Sequence, residues 1–121
     1  SGPCNPGVQR LFVRYDGTLY PCERVNEDVD FFKIGTLDTG FDLDKVMAIL
    51  NIGKVSENEC KNCWGIRQCS ICSSEIEFTG DLTRTAKLKA CAEKHKSALY
   101  ELYELCVLNE FGFQSEGAKF F

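Results

Sequence analysis

Apolar and polar positions follow a short-range, strand-like pattern at the start of the chain and a helical one at its end. Residues 8–15 (VQRLFVRY) and 18–22 (TLYPC) are both rich in β-prone side chains, and Asp16 and Gly17 stand between them. Asp-Gly between two such runs predicts a hairpin, because both central residues of the favoured two-residue turn take positive φ. A two-residue loop sets Tyr15 opposite Thr18, Val13 opposite Tyr20 and Leu11 opposite Cys22, with all six side chains on one face. Cys22 then lies at the open end of the hairpin, where the chain near Cys4 enters.

The next stretch, residues 23–42, offers Phe31, Phe32, Ile34 and Leu37 as core candidates, and Gly35 and Gly40 as turn positions. A short helix is expected over residues 43–51. Asp42 is its N-cap, Phe41 and Val46 are spaced for a hydrophobic staple, and Gly53 can end it in a left-handed conformation. Ser56-x-x-Glu59 has the spacing of a capping box and opens into the cysteine-rich stretch. A helix of about 25 residues follows, near residues 82–108, with Asp81 or Thr79 as its cap. Leu88, Cys91, His95, Leu99, Leu102 and Cys106 recur along it at steps of three and four, which marks one helix face. The tail from Gly112, with Phe113, Phe120 and Phe121, has no clear period. Together these elements predict a small α+β domain: N-terminal β-hairpin, short central helix, cysteine-rich loop and long C-terminal helix.

Composition narrows the class. A chain of 121 residues with 44% apolar positions can build one modest core. The formal net charge of −4 argues against broad binding to nucleic acid or to an anionic membrane. No apolar run reaches the ~20 residues of a membrane helix, and no signal peptide is visible. The opening Ser1-Gly2 without a methionine reads as the scar of a cleaved tag over residues 1–3, and so as an excised domain over residues 4–110 with a tail over residues 111–121.

The eight cysteines, at 4, 22, 60, 63, 69, 72, 91 and 106, change the picture most. Four lie in thirteen residues as Cys60-x-x-Cys63 and Cys69-x-x-Cys72. Close pairs bring thiolates together on one turn, which suits a metal or a cluster better than disulfides that staple distant segments. A single Cys4 zinc site usually joins its pairs through a longer loop than the five residues found here. Iron–sulfur ligation, with neighbouring cysteines shared between two clusters, fits dispersed cysteines better.

The ordered cysteines carry a resemblance. Cys4, Gly17-x4-Cys22, Cys60-x2-Cys63-x5-Cys69-x2-Cys72 and Cys91 resemble the SPASM domain, the auxiliary-cluster extension of radical SAM enzymes. Arg10-Leu-Phe-Val13, Asp16-Gly17 and Tyr20-Pro-Cys-Glu23 are similar to its peptide-maturing branch, which includes maturases of cysteine-rich ribosomal peptides. The resemblance covers residues 4 to 91. It implies two auxiliary [4Fe–4S] clusters, the first held by Cys4, Cys22 and Cys72, the second by Cys60, Cys63, Cys69 and Cys91. It also implies a radical SAM catalytic domain as the partner within a longer chain, a precursor peptide as substrate, and a cytoplasmic setting. S-adenosylmethionine would belong to that other domain. Here the Cys-x3-Cys-x2-Cys motif of the SAM cluster is absent, so the chain would be a fragment of an oxidoreductase that is not competent alone. Two departures stand out. The last step of the central motif has two intervening residues where the family has three. No cysteine lies between Cys4 and Cys22, which leaves the first cluster a ligand short.

Further residues have plainer readings. Cys106 lies fifteen residues beyond Cys91, about 22 Å along a continuous helix, and reads as a buried core cysteine, with a place as an extra metal ligand as the sharper option. His95, one turn from Cys91, is a candidate ligand or supporting group, with a core or boundary histidine as the plainer alternative. Trp64 can shield a cluster or simply pack. Lys87, Lys89, Lys94 and Lys96 read as a solvated basic face, with an acidic peptide leader as the sharper option. The rival for the whole chain is a zinc-stabilised module that binds a peptide or protein without redox chemistry; zinc is also a possible substitute for iron in an isolated domain.

Overall fold

The computed structural model describes residues 4–112. Residues 1–3 and the tail beyond Gly112, with the expected tag scar and Phe113, Phe120 and Phe121, lie outside the described residues. The protein is a small α+β fold with an antiparallel sheet at its N-terminal end and a long helix at its C-terminal end. Four short strands, β1 (Phe12–Val13), β2 (Thr18–Tyr20), β3 (Gly35–Thr36) and β4 (Gly40–Phe41), pair in chain order as a meander.

The first hairpin forms where expected, but its register is shifted. Phe12 faces Tyr20 and Val13 faces Leu19, so the loop is the three residues Tyr15, Asp16 and Gly17. Arg14 N–H donates to Thr18 O at 2.9 Å, and Gly17 N–H to Arg14 O at 2.9 Å. The cause is conformational. A two-residue turn of the expected type needs positive φ at both Asp16 and Gly17, whereas only Gly17, at φ 87°, has it. Asp16 instead uses its carboxylate to accept Thr18 N–H at 3.0 Å. A one-residue slip turns the first strand over. Phe12 therefore packs beside Tyr20, with ring centroids 6.0 Å apart, while Leu11, Val13 and Tyr15 are exposed.

The second hairpin, β3–β4, was not foreseen. Gly35 is a strand residue here, not a turn; a Cβ on it would lie 2.1 Å from Gly40 O, and its φ is 151°. Leu37, on the connecting loop, is exposed rather than in the core. The core is one cluster of Leu19, Tyr20, Val25, Phe32, Ile34 and Ile49, flanked by Phe12, Cys22, Val29, Phe31, Val46 and Phe78. Helix α1 (Leu43–Leu50) closes it with Ile49. Asp42 caps this helix as expected, its carboxylate accepting Asp44 N–H and Lys45 N–H. Gly53 does not end it in a left-handed conformation; the chain runs on through a 3₁₀ turn, Ile52–Ser56, with no positive φ at Gly53.

The cysteine-rich stretch holds a short helix, α2 (Glu57–Lys61), and a 3₁₀ turn, Ser73–Glu75. Helix α3 (Arg84–Glu110) has 27 residues, about 40 Å at 1.5 Å per residue. Its cap is Thr83, not Asp81 or Thr79; the Thr83 hydroxyl accepts Ala86 N–H at 3.2 Å. Only the first half of its expected apolar face is covered. Leu88, Cys91 and His95 are half-buried, whereas Leu99, Leu102 and Cys106 are exposed. The expected burial of Cys106 is therefore not found.

Candidate metal centre

Ser56, Cys60 and Lys87 open the site. The capping box expected from Ser56 and Glu59 does not form, since the Ser56 side chain makes no capping bond to α2. Ser56 is fully buried and faces α3. Lys87 Nζ donates to Ser56 Oγ at 2.8 Å. An ammonium group only donates, so the serine oxygen accepts and its own proton is free for Cys60 Sγ, 3.4 Å away. Lys87 is 6% exposed, and among the described residues no carboxylate pairs with it. The sequence reading placed it on a solvated face. Its spacing held the missed signal: Lys87 stands one helical turn before Cys91, as Ser56 stands one turn before Cys60.

The other sulfurs also meet hydrogen-bonding groups. Cys63 Sγ lies 3.1 Å from His95 Nε2, and Trp64, exposed, lies over His95 with ring centroids 5.5 Å apart. Gly65 is buried between Cys63 and His95. Trp64 is thus a partner of His95 rather than a core residue. Cys72 Sγ accepts from the Ser74 hydroxyl at 3.1 Å and from the backbone of Glu75. The Glu75 carboxylate in turn accepts Cys72 N–H at 2.8 Å. Side-chain partners of this kind orient the sulfurs, as supporting hydrogen bonds do around metal ligands.

Cys91 brings α3 to this group. Burial pushes its thiol up, Lys87 pulls it down, and Cys60, Cys69 and Cys63 push it up again as neighbouring negative charges. Cys60, Cys63, Cys69 and Cys91 therefore share one electrostatic neighbourhood, with His95 at its edge. The remaining lysines of α3 are tied to acids: Lys94 to Glu75 at 2.9 Å, Lys89 to Glu77 at 2.6 Å and Lys96 to Glu93 at 3.1 Å. Arg84 pairs with Glu59 of α2. Arg84–Glu59, Lys89–Glu77 and Lys94–Glu75 tie the first half of α3 to the segment before it, whereas Lys96–Glu93 lies within the helix.

Cys4, Cys22 and Cys72 are less closely joined. Pro6 bridges Arg10, and Arg10 pairs with Glu23, so the chain entering after Cys4 and the chain leaving Cys22 meet at the open end of the first hairpin. Arg24, two residues after Cys22, adds a small pull that lowers the Glu75 carboxyl beside Cys72. Cys4 is exposed and Cys22 and Cys72 are half-buried. Cys106 stands apart, exposed on the second half of α3.

Among the described residues no three His, Cys, Asp or Glu side chains are arranged to hold a metal ion. The donor chemistry nonetheless fits thiolate ligation. Cys60, Cys63 and Cys91 form no disulfide among the described residues, and Lys87, a buried cation with no carboxylate on it among those residues, stands beside Cys60 and Cys91. Burying an ammonium without a carboxylate costs several kcal/mol, and the groups nearest to it are the Ser56 hydroxyl and the sulfurs of Cys60 and Cys91. Comparison with known proteins finds no match to any family model, curated protein or solved structure. No helix among the described residues is long and apolar enough to cross a membrane.

Proposed function

We propose that this chain is an auxiliary iron–sulfur domain of the SPASM type, serving a radical SAM enzyme that modifies a ribosomally made peptide. The observation that carries the reading is the grouping of Cys91 with Cys60, Cys63 and Cys69, since the same four cysteines form the second ligand set that the motif order implies. In this reading Cys60, Cys63, Cys69 and Cys91 hold one [4Fe–4S] cluster, and Cys4, Cys22 and Cys72 hold another whose last ligand comes from elsewhere. Such clusters supply one-electron transfer. The chain's own residues hold the thiolates in place: Ser56 and His95 bond the sulfurs of Cys60 and Cys63, Ser74 and Glu75 bond that of Cys72, and Trp64 covers His95. The domain would pass electrons, bind the precursor peptide, or do both; SAM chemistry would reside in a separate catalytic domain in the cytoplasm.

The second reading, a zinc-stabilised binding module, draws on the 3.1 Å contact of His95 with Cys63, because mixed cysteine and histidine donors suit zinc. Anaerobic reconstitution with iron and sulfide separates the two. Visible absorption, about eight irons and eight sulfides per chain for two cubane clusters, and a Mössbauer signature of [4Fe–4S] are expected. A colourless protein that takes only zinc would overturn the cluster reading, since Zn²⁺ is d¹⁰.

A further inference from the structure

Lys87 is the one side chain of the 27-residue α3 that is buried, and it is a cation. Three observations bear on its role. It is 6% exposed, and among the described residues its Nζ bonds Ser56 Oγ alone, at 2.8 Å. Ser56, wholly buried, stands 3.4 Å from Cys60 Sγ. Acidic residues nearby are engaged elsewhere, Glu59 with Arg84 and Glu75 with Lys94. A lysine that only anchored α3 would sit more cheaply at the surface with a carboxylate, as Lys89 and Lys94 do.

We infer that Lys87 is a positioning residue that compensates negative charge at the cysteine centre and raises its reduction potential, acting on Cys60 through the Ser56 hydroxyl and on Cys91 directly through space. The inference rests on the cluster reading above. Reduction adds one electron to the centre from a low-potential one-electron donor. The electron raises the negative charge of the centre beside the buried Lys87 side chain. A buried cation stabilises the more negative, reduced state, and the low local dielectric magnifies the effect. Ser56 adds direction: with its lone pair bound to the ammonium, its proton points to sulfur, and hydrogen bonds to cluster sulfur raise potentials.

The test uses the full chain, reconstituted anaerobically with iron and sulfide, as wild type, Lys87→Met, Lys87→Arg and Ser56→Ala. Iron content and an EPR-monitored redox titration with dithionite and mediators are read for each. Lys87→Met preserves side-chain volume and removes the charge, and is expected to disfavour reduction of one cluster at least tenfold, about 59 mV for one electron. Lys87→Arg should stay near wild type, and Ser56→Ala should shift in the direction of Lys87→Met by less. Loading of Lys87→Arg at wild-type potential with no loading of Lys87→Met would also support the inference, because charge then decides assembly. A loaded Lys87→Met with wild-type potentials, or Lys87→Arg behaving as Lys87→Met, would overturn it and leave the cluster reading standing. Failure of the wild type itself to take iron would instead overturn the cluster reading on which it rests.

Discussion

Glu75 shows how one side chain organises a cysteine. Its carboxylate takes the Cys72 amide at 2.8 Å and the Lys94 ammonium at 2.9 Å. The hydrogen bond from Lys94 and then the one from Cys72 N–H hold its carboxyl below the ordinary value, against a smaller opposing effect of burial. A carboxyl lowered by folding contributes stability above its unfolded value, about 4.3 for glutamate, and loses it as pH falls through the lower folded value. The side chain is partly exposed, so the effect is local rather than global. The Cys72 amide should therefore be protected from hydrogen exchange near neutral pH and lose that protection as pH falls below the ordinary glutamate range. In Glu75→Ala the protection should be weak throughout, with no acid step. Wild-type protection that stays level through this range would show that the carboxylate does not hold the turn.

At the level of elements, what could be read from the residues depended on whether a pattern was long enough to repeat. Helix α1 was legible because Asp42 is a side chain that caps and Ile49 falls on the buried side of a regular helical run. Helix α3 was legible in extent but not in cap, since Thr79, Asp81 and Thr83 are chemically equivalent choices and only packing selects Thr83. The register of β1 against β2 was not legible. It hinged on whether Asp16 would take positive φ, and its side chain found a better use in bonding Thr18 N–H. Strands β3 and β4 have two residues each, too few for any alternation to appear. Gly35 was read as a turn glycine when its true constraint is the close approach of Gly40 O. Gly35→Ala should accordingly lower stability by at least about 1–3 kcal/mol through backbone strain, with the steric clash added, as measured by urea unfolding. Phe41 and Thr36 amide signals should move with it. An unchanged urea midpoint would mean that the β3–β4 pairing contributes little to the fold.

On the scale of the whole molecule, two supports hold the chain and they differ in kind. The apolar cluster of Leu19, Tyr20, Val25, Phe32, Ile34 and Ile49 sits at the sheet and α1. The cysteine-rich stretch contributes only Ile76 to the buried apolar residues, and is otherwise joined to α3 by sulfur contacts, the buried Lys87–Ser56 bond and ion pairs that are worth little when exposed. The cysteine pattern that suggested a metal or cluster was plain in the chain; the buried lysine beside it was marked only by its place one turn before Cys91, a spacing that gains meaning once Ser56 is folded against it. A region so poor in apolar contacts should depend on whatever its thiolates bind, as ligand and folding free energies are then shared. Hydrogen exchange on the iron-loaded chain and on the same chain stripped with chelator should show this. Amides of residues 56–75 are expected to lose protection by tenfold or more, about 1.4 kcal/mol, while the core amides of Leu19, Tyr20 and Ile34 stay close to their loaded values. The first half of α3 should lose protection after the cysteine-rich stretch, since its own helical bonds remain when its partners loosen. Equal protection of residues 56–75 with and without metal would mean that the sulfur contacts and ion pairs suffice, and a simultaneous loss across the sheet would mean that the two supports unfold as one.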